Sequence, residues 1–269
     1  MLNLPNWIRQ LSYQPFAVRI VRFLHIRGLM RWVYYRLARP RDKKKRIFFN
    51  GIEAEFYVNT YGELRFIEGT FAKGYRNETL VLKRLAQILQ PGDVAYDVGT
   101  SLGTHTILMA KMVGPNGRII AFEPETGNYE KLQANISLNS LKNVTSINVA
   151  LGDSFGLFNL SAGGNKGADK KAKIVPGDIL VQNKNLPLPK AVKIDVEGYE
   201  YYVIKGLRET LNNNVCKMVC CEIHSELFSH GIKPYTVLDL LKSLGFIQIE
   251  TYDRGGEKHA ICYKSGQFH

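Results

Sequence analysis

An acidic residue and two glycines follow an apolar stretch in the segment from Val94 to Gly103. Asp97, Gly99 and Gly103 have the spacing acidic-x-Gly-x-x-x-Gly, and a helical pattern begins after Gly103. Gly99 lets the backbone approach a ligand, Gly103 lets helix and strand pack closely, and the helix N-terminus offers free N–H groups. The segment therefore predicts a nucleoside-type cofactor site, although a glycine turn without a ligand has the same local pattern.

The acidic residue of this segment discriminates between cofactors. The Asp97 carboxylate would repel a pyrophosphate, but it can pair with the ammonium of an amino-acid moiety. The dinucleotide fingerprint Gly-x-Gly-x-x-Gly is absent. S-Adenosylmethionine (SAM) is therefore favoured over NAD. Ser101 in the loop and Thr104 directly after it are assigned to the same cofactor site.

A second acid occupies the end of the next apolar stretch. Glu123 lies 26 residues after Asp97, which is the length of one strand, helix, strand unit. We expect Glu123 to bind the ribose hydroxyls, with Pro124 beside it. Leu151 is expected to contact the adenine ring, and Glu78, in the first turn of the preceding helix, to face the ligand.

Four polar residues follow two further apolar stretches, and they are the candidate catalytic residues: Asp195, Glu197, Glu222 and His224. Alternating residues share a strand face, so the members of each pair project together. His224 is the preferred base because its unperturbed pKa of about 6.5 lies near working pH, and Glu222 could orient it. Asp195 and Glu197 could steer a substrate hydroxyl. Asp195 could also take the proton, and it is assigned to the cofactor site as well.

Two alternatives remain for these four residues. His224 could be a core histidine whose ring nitrogens are hydrogen-bonded and which has only a structural role. Asp195, Glu197 and Glu222 could also hold Mg²⁺, since hard oxygen ligands suit that ion. No residue is assigned as a metal ligand.

A regular alternation of apolar strands and helices must position these residues. We predict an α/β fold with a doubly wound, seven-stranded, mostly parallel sheet. Its last two strands, 246–251 and 260–264, form an antiparallel hairpin. In such sheets ligands bind beyond the carboxyl ends of the strands, where all the candidate acids lie.

Local patterns give several further predictions of secondary structure. Asn50-Gly51 predicts a hairpin between 46–49 and 52–58. Further elements are expected as follows: strands at 64–67 and 144–150, one helix at 199–211, a lid or disordered loop at 161–173, and a connector at 174–189.

Six motifs complete the pattern: DVGTSLG (97–103), FEP (122–124), NISLN (135–139), ALGD (150–153), KIDVEGYE (193–200) and EIH (222–224). As a set they resemble the FkbM-type family of SAM-dependent methyltransferases, over roughly residues 78–265. The resemblance implies a Rossmann-like sheet and O-methylation of a hydroxyl in a glycan, glycolipid or polyketide. Ser101 departs from the Asn-like residue more common in that loop.

The turn after the apolar stretch at 191–194 narrows the range of possible methyl acceptors. It is Asp195-Val196-Glu197-Gly198, not the [DN]-P-P-[YF] of enzymes that methylate exocyclic base nitrogens, and no Pro-Cys nucleophile occurs. Base methylation is therefore disfavoured. An RNA ribose methyltransferase and a non-catalytic SAM-binding protein remain as alternative functions to methylation of a small-molecule, glycan or lipid-linked acceptor.

The first fifty residues carry almost all of the net charge. They hold twelve Lys or Arg and one Asp, which is +11 of the chain's +12. Apolar residues at helical spacing lie opposite the arginines, as in helices at a membrane interface. We predict a basic amphipathic helical segment at 1–45 and a methyltransferase domain at 46–269.

Three partners are open for this basic segment. It could meet an anionic membrane, pack on the domain or on a second subunit of a homodimer, or bind nucleic acid, which is the least favoured. The four cysteines form no C-x-x-C pair and are expected to be reduced core residues. We expect a cytoplasmic protein, peripheral on the inner face of a membrane.

Overall fold

The computed structural model describes residues 32–33, 35–37, 40–71, 78–159, 171–224, 232–254 and 257–265. Besides the helical residues at 32–33 and 35–37, this part contains twelve strands and eight helices. The strands are β1 Lys44–Phe49, β2 Ile52–Tyr57, β3 Val94–Val98, β4 Arg118–Phe122, β5 Val144–Ile147, β6 Ala150–Gly152, β7 Gly156–Asn159, β8 Lys171–Pro176, β9 Ala191–Ile194, β10 Met218–Ile223, β11 Gln248–Arg254 and β12 Glu257–Tyr263. The helices are α1 Tyr61–Phe71, α2 Glu78–Ile88, α3 Thr104–Val113, α4 Thr126–Leu138, α5 Gly177–Asn183, α6 Glu200–Gly206, α7 Arg208–Asn212 and α8 Pro234–Ser243.

Seven strands form the central sheet in the order β11-β12-β10-β9-β3-β4-β5. Neighbours from β10 to β5 are parallel, whereas β12 is antiparallel to both β10 and β11. The chain runs outward from β3 to β5 and then returns to β9 on the other side of β3. The prediction of a Rossmann-like, mostly parallel sheet with a C-terminal antiparallel hairpin is confirmed.

Apolar side chains cover both faces of this sheet, as expected for buried parallel strands. On one face, Tyr96 and Phe122 pack with residues of α6 and α8. On the other face, Ala95, Ala191 and Cys220 pack with residues of α2 and α3. All four cysteines are free and buried, as predicted. The ligand-facing edge is thereby held between two helical layers.

The hairpin β1–β2 packs on the outside of α3 and α4. Its turn residues Asn50 and Gly51 both have positive φ, as predicted for this turn. Asn135 on α4 accepts a hydrogen bond from the Tyr57 N–H at 2.9 Å and donates one to the Leu102 carbonyl at 2.8 Å. The hairpin is therefore tied directly to the glycine loop after β3.

Residues 64–67, predicted as a strand, lie inside α1. Thr60 and Glu63 form a capping box, in which the Glu63 N–H donates to Thr60 Oγ1 at 3.2 Å. The N–H groups of Asn59 and Thr60 donate to Glu63 Oε2 at 2.6 and 3.2 Å. This reciprocal pattern satisfies the free N–H groups at a helix start. The strand prediction was wrong because the motif Thr-x-x-Glu was overlooked.

Two other predicted elements are each divided in the structure. β5 ends at Ile147, and residues 150–152 form β6 in a separate three-stranded sheet with β8 and β7. The helix predicted at 199–211 is two helices that meet at Leu207. A Cβ on Gly206 would collide with the carbonyl group of Gly152, so α6 and β6 touch through their backbones.

Two predicted loop regions are partly structured. Residues 171–173 of the predicted lid belong to β8, and residues 160–170 lie outside the described residues. The connector predicted at 174–189 contains the end of β8 and the short helix α5.

Most of the predicted basic segment lies outside the described residues. Residues 32–33 and 35–37 are helical, and the Tyr35 hydroxyl donates to the carbonyl groups of Val58 and Asn59. β1 begins at Lys44, two residues before the predicted domain boundary. Among the described residues, none of the helices combines the length and the hydrophobicity that crossing a bilayer requires.

Candidate active site

In the loop between β3 and α3, every second residue from Gly99 to Gly103 has a left-handed backbone conformation. Gly99, Ser101 and Gly103 have φ of 82°, 51° and 86°. A Cβ on Gly99 would collide with the Asp195 carbonyl group, and one on Gly103 would lie 2.5 Å from a methyl carbon of Leu132. Gly99, predicted to let the backbone approach a ligand, is therefore also required by the neighbouring backbone. Gly103, predicted to allow close packing of helix and strand, lies close to Leu132 of α4.

Asp97 is fully buried one residue before the end of β3. Its Oδ2 accepts a hydrogen bond from the Thr106 hydroxyl at 2.6 Å, and its Oδ1 lies 3.7 Å from Lys193 Nζ. Burial raises the pKa of Asp97, and the Lys193 charge and the Thr106 hydrogen bond oppose that rise. A cationic neighbour is thus already present beside this carboxylate.

Glu123 follows β4 at the same edge of the sheet. Ala121 is the register partner of Asp97, so Glu123, two residues later, projects from the same face as Asp97. Its Oε2 accepts the Ser101 N–H at 2.7 Å and its Oε1 accepts the Glu125 N–H at 3.0 Å. Burial raises the pKa of Glu123 to about 7, and these two bonds oppose the rise.

Three buried oxygens at the glycine loop have no hydrogen-bond partner among the described residues. Their presence tests whether a polar ligand fits there. They are Asp97 Oδ1, Thr100 Oγ1 and Thr104 Oγ1. Buried polar atoms in folded proteins are nearly always hydrogen-bonded, so these three atoms call for donors from a ligand. An aminoacyl ammonium and ribose hydroxyls are such donors. The residues present therefore fit SAM.

Four other residues were predicted to contact the cofactor. Pro124 directly follows Glu123, and Leu151 is buried in β6 against the core. Thr104 is the first residue of α3, and Glu78 is the first residue of α2. The side chain of Glu78 lies outside the described part of the structure, so its predicted contact with the ligand stays a prediction.

The second half of the site is a group that we call the strand-tip group: Asp195, Glu197, Glu222 and His224. Asp195 and Glu197 follow the end of β9, Glu222 is in β10 and His224 follows it. His224 Nε2 lies 3.7 Å from Asp195 Oδ1, 3.7 Å from Glu222 Oε1 and 3.9 Å from Glu197 Oε2. The four candidate catalytic residues therefore do meet, across two neighbouring parallel strands.

His224 is oriented by a residue that the sequence analysis did not assign. Its Nδ1 lies 2.8 Å from Glu200 Oε1, and Glu200 is completely buried in the first turn of α6. The same oxygen accepts the Gly198 N–H at 2.9 Å. The prediction that Glu222 orients His224 is wrong, because Glu222 Oε1 is beyond hydrogen-bond distance and faces the other ring nitrogen.

The environment of His224 acts on its charge. Burial lowers the pKa, but the Glu200 hydrogen bond and the charges of Asp195, Glu200 and Glu197 outweigh burial and raise it to about 9. At neutral pH the imidazole is then mostly protonated and places one positive charge among the carboxylates. The role of His224 as a base stays a prediction.

A buried lysine connects the two halves of the site. Lys193 Nζ donates to Asp195 Oδ2 at 3.1 Å and faces Asp97 from the adjacent strand. Beyond it, His259 Nε2 on β12 lies 3.3 Å from Glu222 Oε1. Register places all of these side chains on one face of the sheet. The sequence signal for Lys193 was a charged residue within an otherwise apolar strand.

Comparison with protein families decides what this site belongs to. A profile of the methyltransferase FkbM domain matches residues 97–247, more than half of the chain and the whole region from Asp97 through the strand-tip group. This chain belongs to the FkbM methyltransferase family. As an FkbM methyltransferase, it is a SAM-dependent enzyme.

A curated relative supports the same conclusion. This FkbM methyltransferase is 29% identical over 201 residues to the hexuronic acid methyltransferase AglP of Haloferax volcanii. The match covers 71% of this chain and 77% of the relative.

Two solved methyltransferase structures are similar to parts of this chain. A methyltransferase FkbM from Methylobacillus flagellatus is 16% identical with a TM-score of 0.48, covering 69% of this chain and 51% of that one. This chain thus spans about half the length of that protein. A SAM-dependent O-methyltransferase from Thermotoga maritima is 13% identical with a TM-score of 0.46, over 82% and 77% of the two chains.

Proposed function

We infer that this enzyme methylates a hydroxyl of a sugar in a glycan, and that a hexuronic acid is the acceptor class. The observation that carries the proposal is the likeness to the hexuronic acid methyltransferase AglP over 71% of the chain. The matched family region contains every described residue of the strand-tip group. A relative at this identity supports the acceptor class without fixing the sugar.

The cofactor half of the site holds SAM by its polar ends. Asp97 pairs with the aminoacyl ammonium, and Glu123 accepts hydrogen bonds from the ribose diol. The two backbone donors occupy one lone pair on each Glu123 oxygen, so acceptor capacity remains for two hydroxyls. The remaining cofactor contacts are assigned to Glu78, Gly99, Ser101, Gly103, Thr104, Pro124, Leu151 and Asp195.

The strand-tip group acts on the acceptor. Bound SAM would supply a methyl group activated by a sulfonium: the hydroxyl oxygen would bond to the methyl carbon, and the sulfur would leave with the electron pair of the broken C–S bond. Asp195 and Glu197 position the hydroxyl, and its proton passes to the strand-tip group. Buried Glu200 holds the His224 ring, so little rotation is left in this half of the site.

The basic N-terminal segment is proposed to bring the enzyme to an anionic membrane that carries lipid-linked glycans. Trp32 and Leu37 expose more than half of their surface, and the Arg36 guanidinium lies 5.5 Å from the centre of the Trp32 ring. Arg41 and Lys43 are also exposed. Exposed apolar side chains beside cations are typical of interfacial helices.

The acceptor is tested with methyl-labelled SAM and matched oligosaccharides. One oligosaccharide carries a hexuronic acid, its partner carries the hexose in which the carboxyl is reduced to an alcohol, and an RNA sample is the third arm. We expect label in the first, in a methyl ether that survives mild alkali. Label lost in alkali would mean a methyl ester and would overturn the hydroxyl assignment; label only in RNA would overturn the glycan.

A further inference from the structure

We propose that Asp195, Glu197 and His224 bind a divalent metal ion, with Glu200 as the residue that orients His224. From the sequence alone no residue was assigned as a metal ligand, and the alternative considered was a Mg²⁺ site of Asp195, Glu197 and Glu222. One donor atom from each of the three residues lies within 4.8 Å of the other two. The inference rests on the proposed function, because it assigns the ion to the acceptor half of that site.

The distances in this group suit a shared ion better than direct hydrogen bonds. His224 Nε2 is 3.7 Å from Asp195 Oδ1 and 3.9 Å from Glu197 Oε2, whereas N–H···O hydrogen bonds measure about 2.7 to 3.2 Å. Donors bound to one ion at about 2.1 Å lie roughly 3 Å apart at right angles and roughly 4 Å apart when opposite. Both separations from His224 Nε2 fall between these limits.

The orientation of the histidine also fits an ion. His224 is 96% buried, its Nδ1 is taken by Glu200, and its Nε2 is aimed into the group, where the carboxylate oxygens of Asp195 and Glu222 lie 3.7 Å away. A metal-binding histidine commonly gives its other ring N–H to a carboxylate, which fixes the ring and directs the free nitrogen at the ion. Glu200 is fully buried and has this role.

Charge gives the third argument. Four carboxylates surround one imidazole, whose single charge when protonated does not balance them, and Lys193 contacts Asp195 through Oδ2, the oxygen that does not face His224. On binding, the ion takes the place of the proton on His224 Nε2. A hexuronic acid carries a carboxylate of its own, which such a group would repel. A divalent ion removes this conflict, because it offsets the negative charge and can bind oxygens of an acidic sugar.

An ion at this position would also assist the reaction. As a Lewis acid it lowers the pKa of a bound hydroxyl, so that the attacking oxygen becomes more nucleophilic. Two carboxylates and one imidazole are a mixed donor set, which suits Mn²⁺ and its first-row neighbours. Mn²⁺ is therefore the probe of choice.

The test measures Mn²⁺ binding directly, by the loss of its free EPR signal on titration with chelator-treated full-length protein. We expect one ion per chain in the wild type. The variants Glu197→Gln and Asp195→Asn should weaken binding at least tenfold. Because 74% of the Glu197 side chain is exposed, that variant is expected to fold normally. Asp239→Asn, at an exposed ion pair on α8, is the matched control and should bind like the wild type.

Failure of this inference is separable from failure of the proposed function. If the wild type binds no Mn²⁺, or if both variants bind it equally well, the metal site is overturned. Methylation of the hexuronic acid that persists in excess chelator would overturn it too, while leaving the acceptor intact. Mn²⁺ binding with no label in the hexuronic acid would instead overturn the acceptor and leave the metal site standing.

Discussion

Lys193 and Asp97 are register partners on adjacent parallel strands, and their charged atoms meet in the interior at 3.7 Å. Lys193 also donates to Asp195, so one buried ammonium lies between a carboxylate at the cofactor loop and a carboxylate at the strand-tip group. Because burial raises the free energy of every unpaired charge, this lysine allows the two acids to lie close together inside the sheet.

Replacing Lys193 should therefore be strongly destabilising. We expect Lys193→Met to lower the free energy of unfolding by about 3 kcal/mol or more, because the buried carboxylate of Asp97 and the partly buried one of Asp195 lose their partner. Lys190→Met is the matched control, since Lys190 pairs with Asp93 at 2.7 Å on the partly exposed edge of the same two strands. That change should cost less than about 1 kcal/mol. Equal losses in urea denaturation would contradict the assignment.

Gly99 should be far less replaceable than another glycine with similar backbone geometry. Gly99 has φ of 82° and Gly92 has φ of 91°, but only a Cβ on Gly99 would meet the Asp195 carbonyl group. Gly92→Ala should cost about 1 kcal/mol for the left-handed conformation. Gly99→Ala should cost roughly 2 kcal/mol more, because the loop and β9 must separate. The measurement is chemical denaturation of both variants, and indistinguishable midpoints would refute the predicted clash.

Glu123 should make stability depend on pH in an unusual direction for a carboxyl group. Its pKa in the folded protein is about 7, above the ordinary value of 4.5, so the folded state binds this proton more tightly than the unfolded state. The resulting stabilisation is complete below pH 4.5 and is lost as the pH rises through 7. Relative to Glu123→Gln, the wild type should lose roughly 3 kcal/mol across this interval.

Urea denaturation at several pH values measures this difference. Glu130→Gln, at an exposed position on the neighbouring helix α4, is the control and should follow the wild type at every pH. The prediction fails if Glu123→Gln and the wild type keep a constant difference from pH 4 to pH 8. The ionised form of Glu123 is the better acceptor for ribose hydroxyls, so SAM affinity should fall as the pH drops below 7.

Removal of residues 1–31 should weaken membrane binding and leave SAM binding intact. This deletion takes away five arginines but keeps Tyr35, which is hydrogen-bonded to the domain. Flotation with vesicles containing phosphatidylglycerol measures the effect, and vesicles of phosphatidylcholine alone are the control. Each lost charge weakens binding to an anionic surface by about 1 kcal/mol. A truncated protein that floats as well as the untruncated one would leave packing or dimerisation as the role of residues 1–31.

The positions of the strand-end acids could be predicted from the sequence because of one geometric rule. The carboxyl ends of parallel strands meet at one edge, so Asp97, Glu123 and Asp195 had to come near one another once the strands were recognised. The doubly wound, mostly parallel sheet followed from the same regular alternation of strands and helices. This rule needs no knowledge of side-chain contacts, which explains its success.

Contacts between a strand end and a helix could not be predicted in this way. Glu200 lies in the first turn of α6, and nothing in its local sequence shows that its side chain turns back to His224. The break at Leu207 likewise depends on how closely Gly206 approaches β6. The helix start at Thr60 and Glu63 was different, since its capping motif is visible in the sequence.

The antiparallel strand β12 lies between β10 and β11, although it follows both of them in the chain. During synthesis, β10 therefore has an open edge until residues 257–263 have left the ribosome, and β11 has no partner in the sheet before then. A nascent chain in that state exposes two unpaired strand edges, which are templates for aggregation. Full assembly of the edge that bears Glu222 is thus delayed until β12 has emerged.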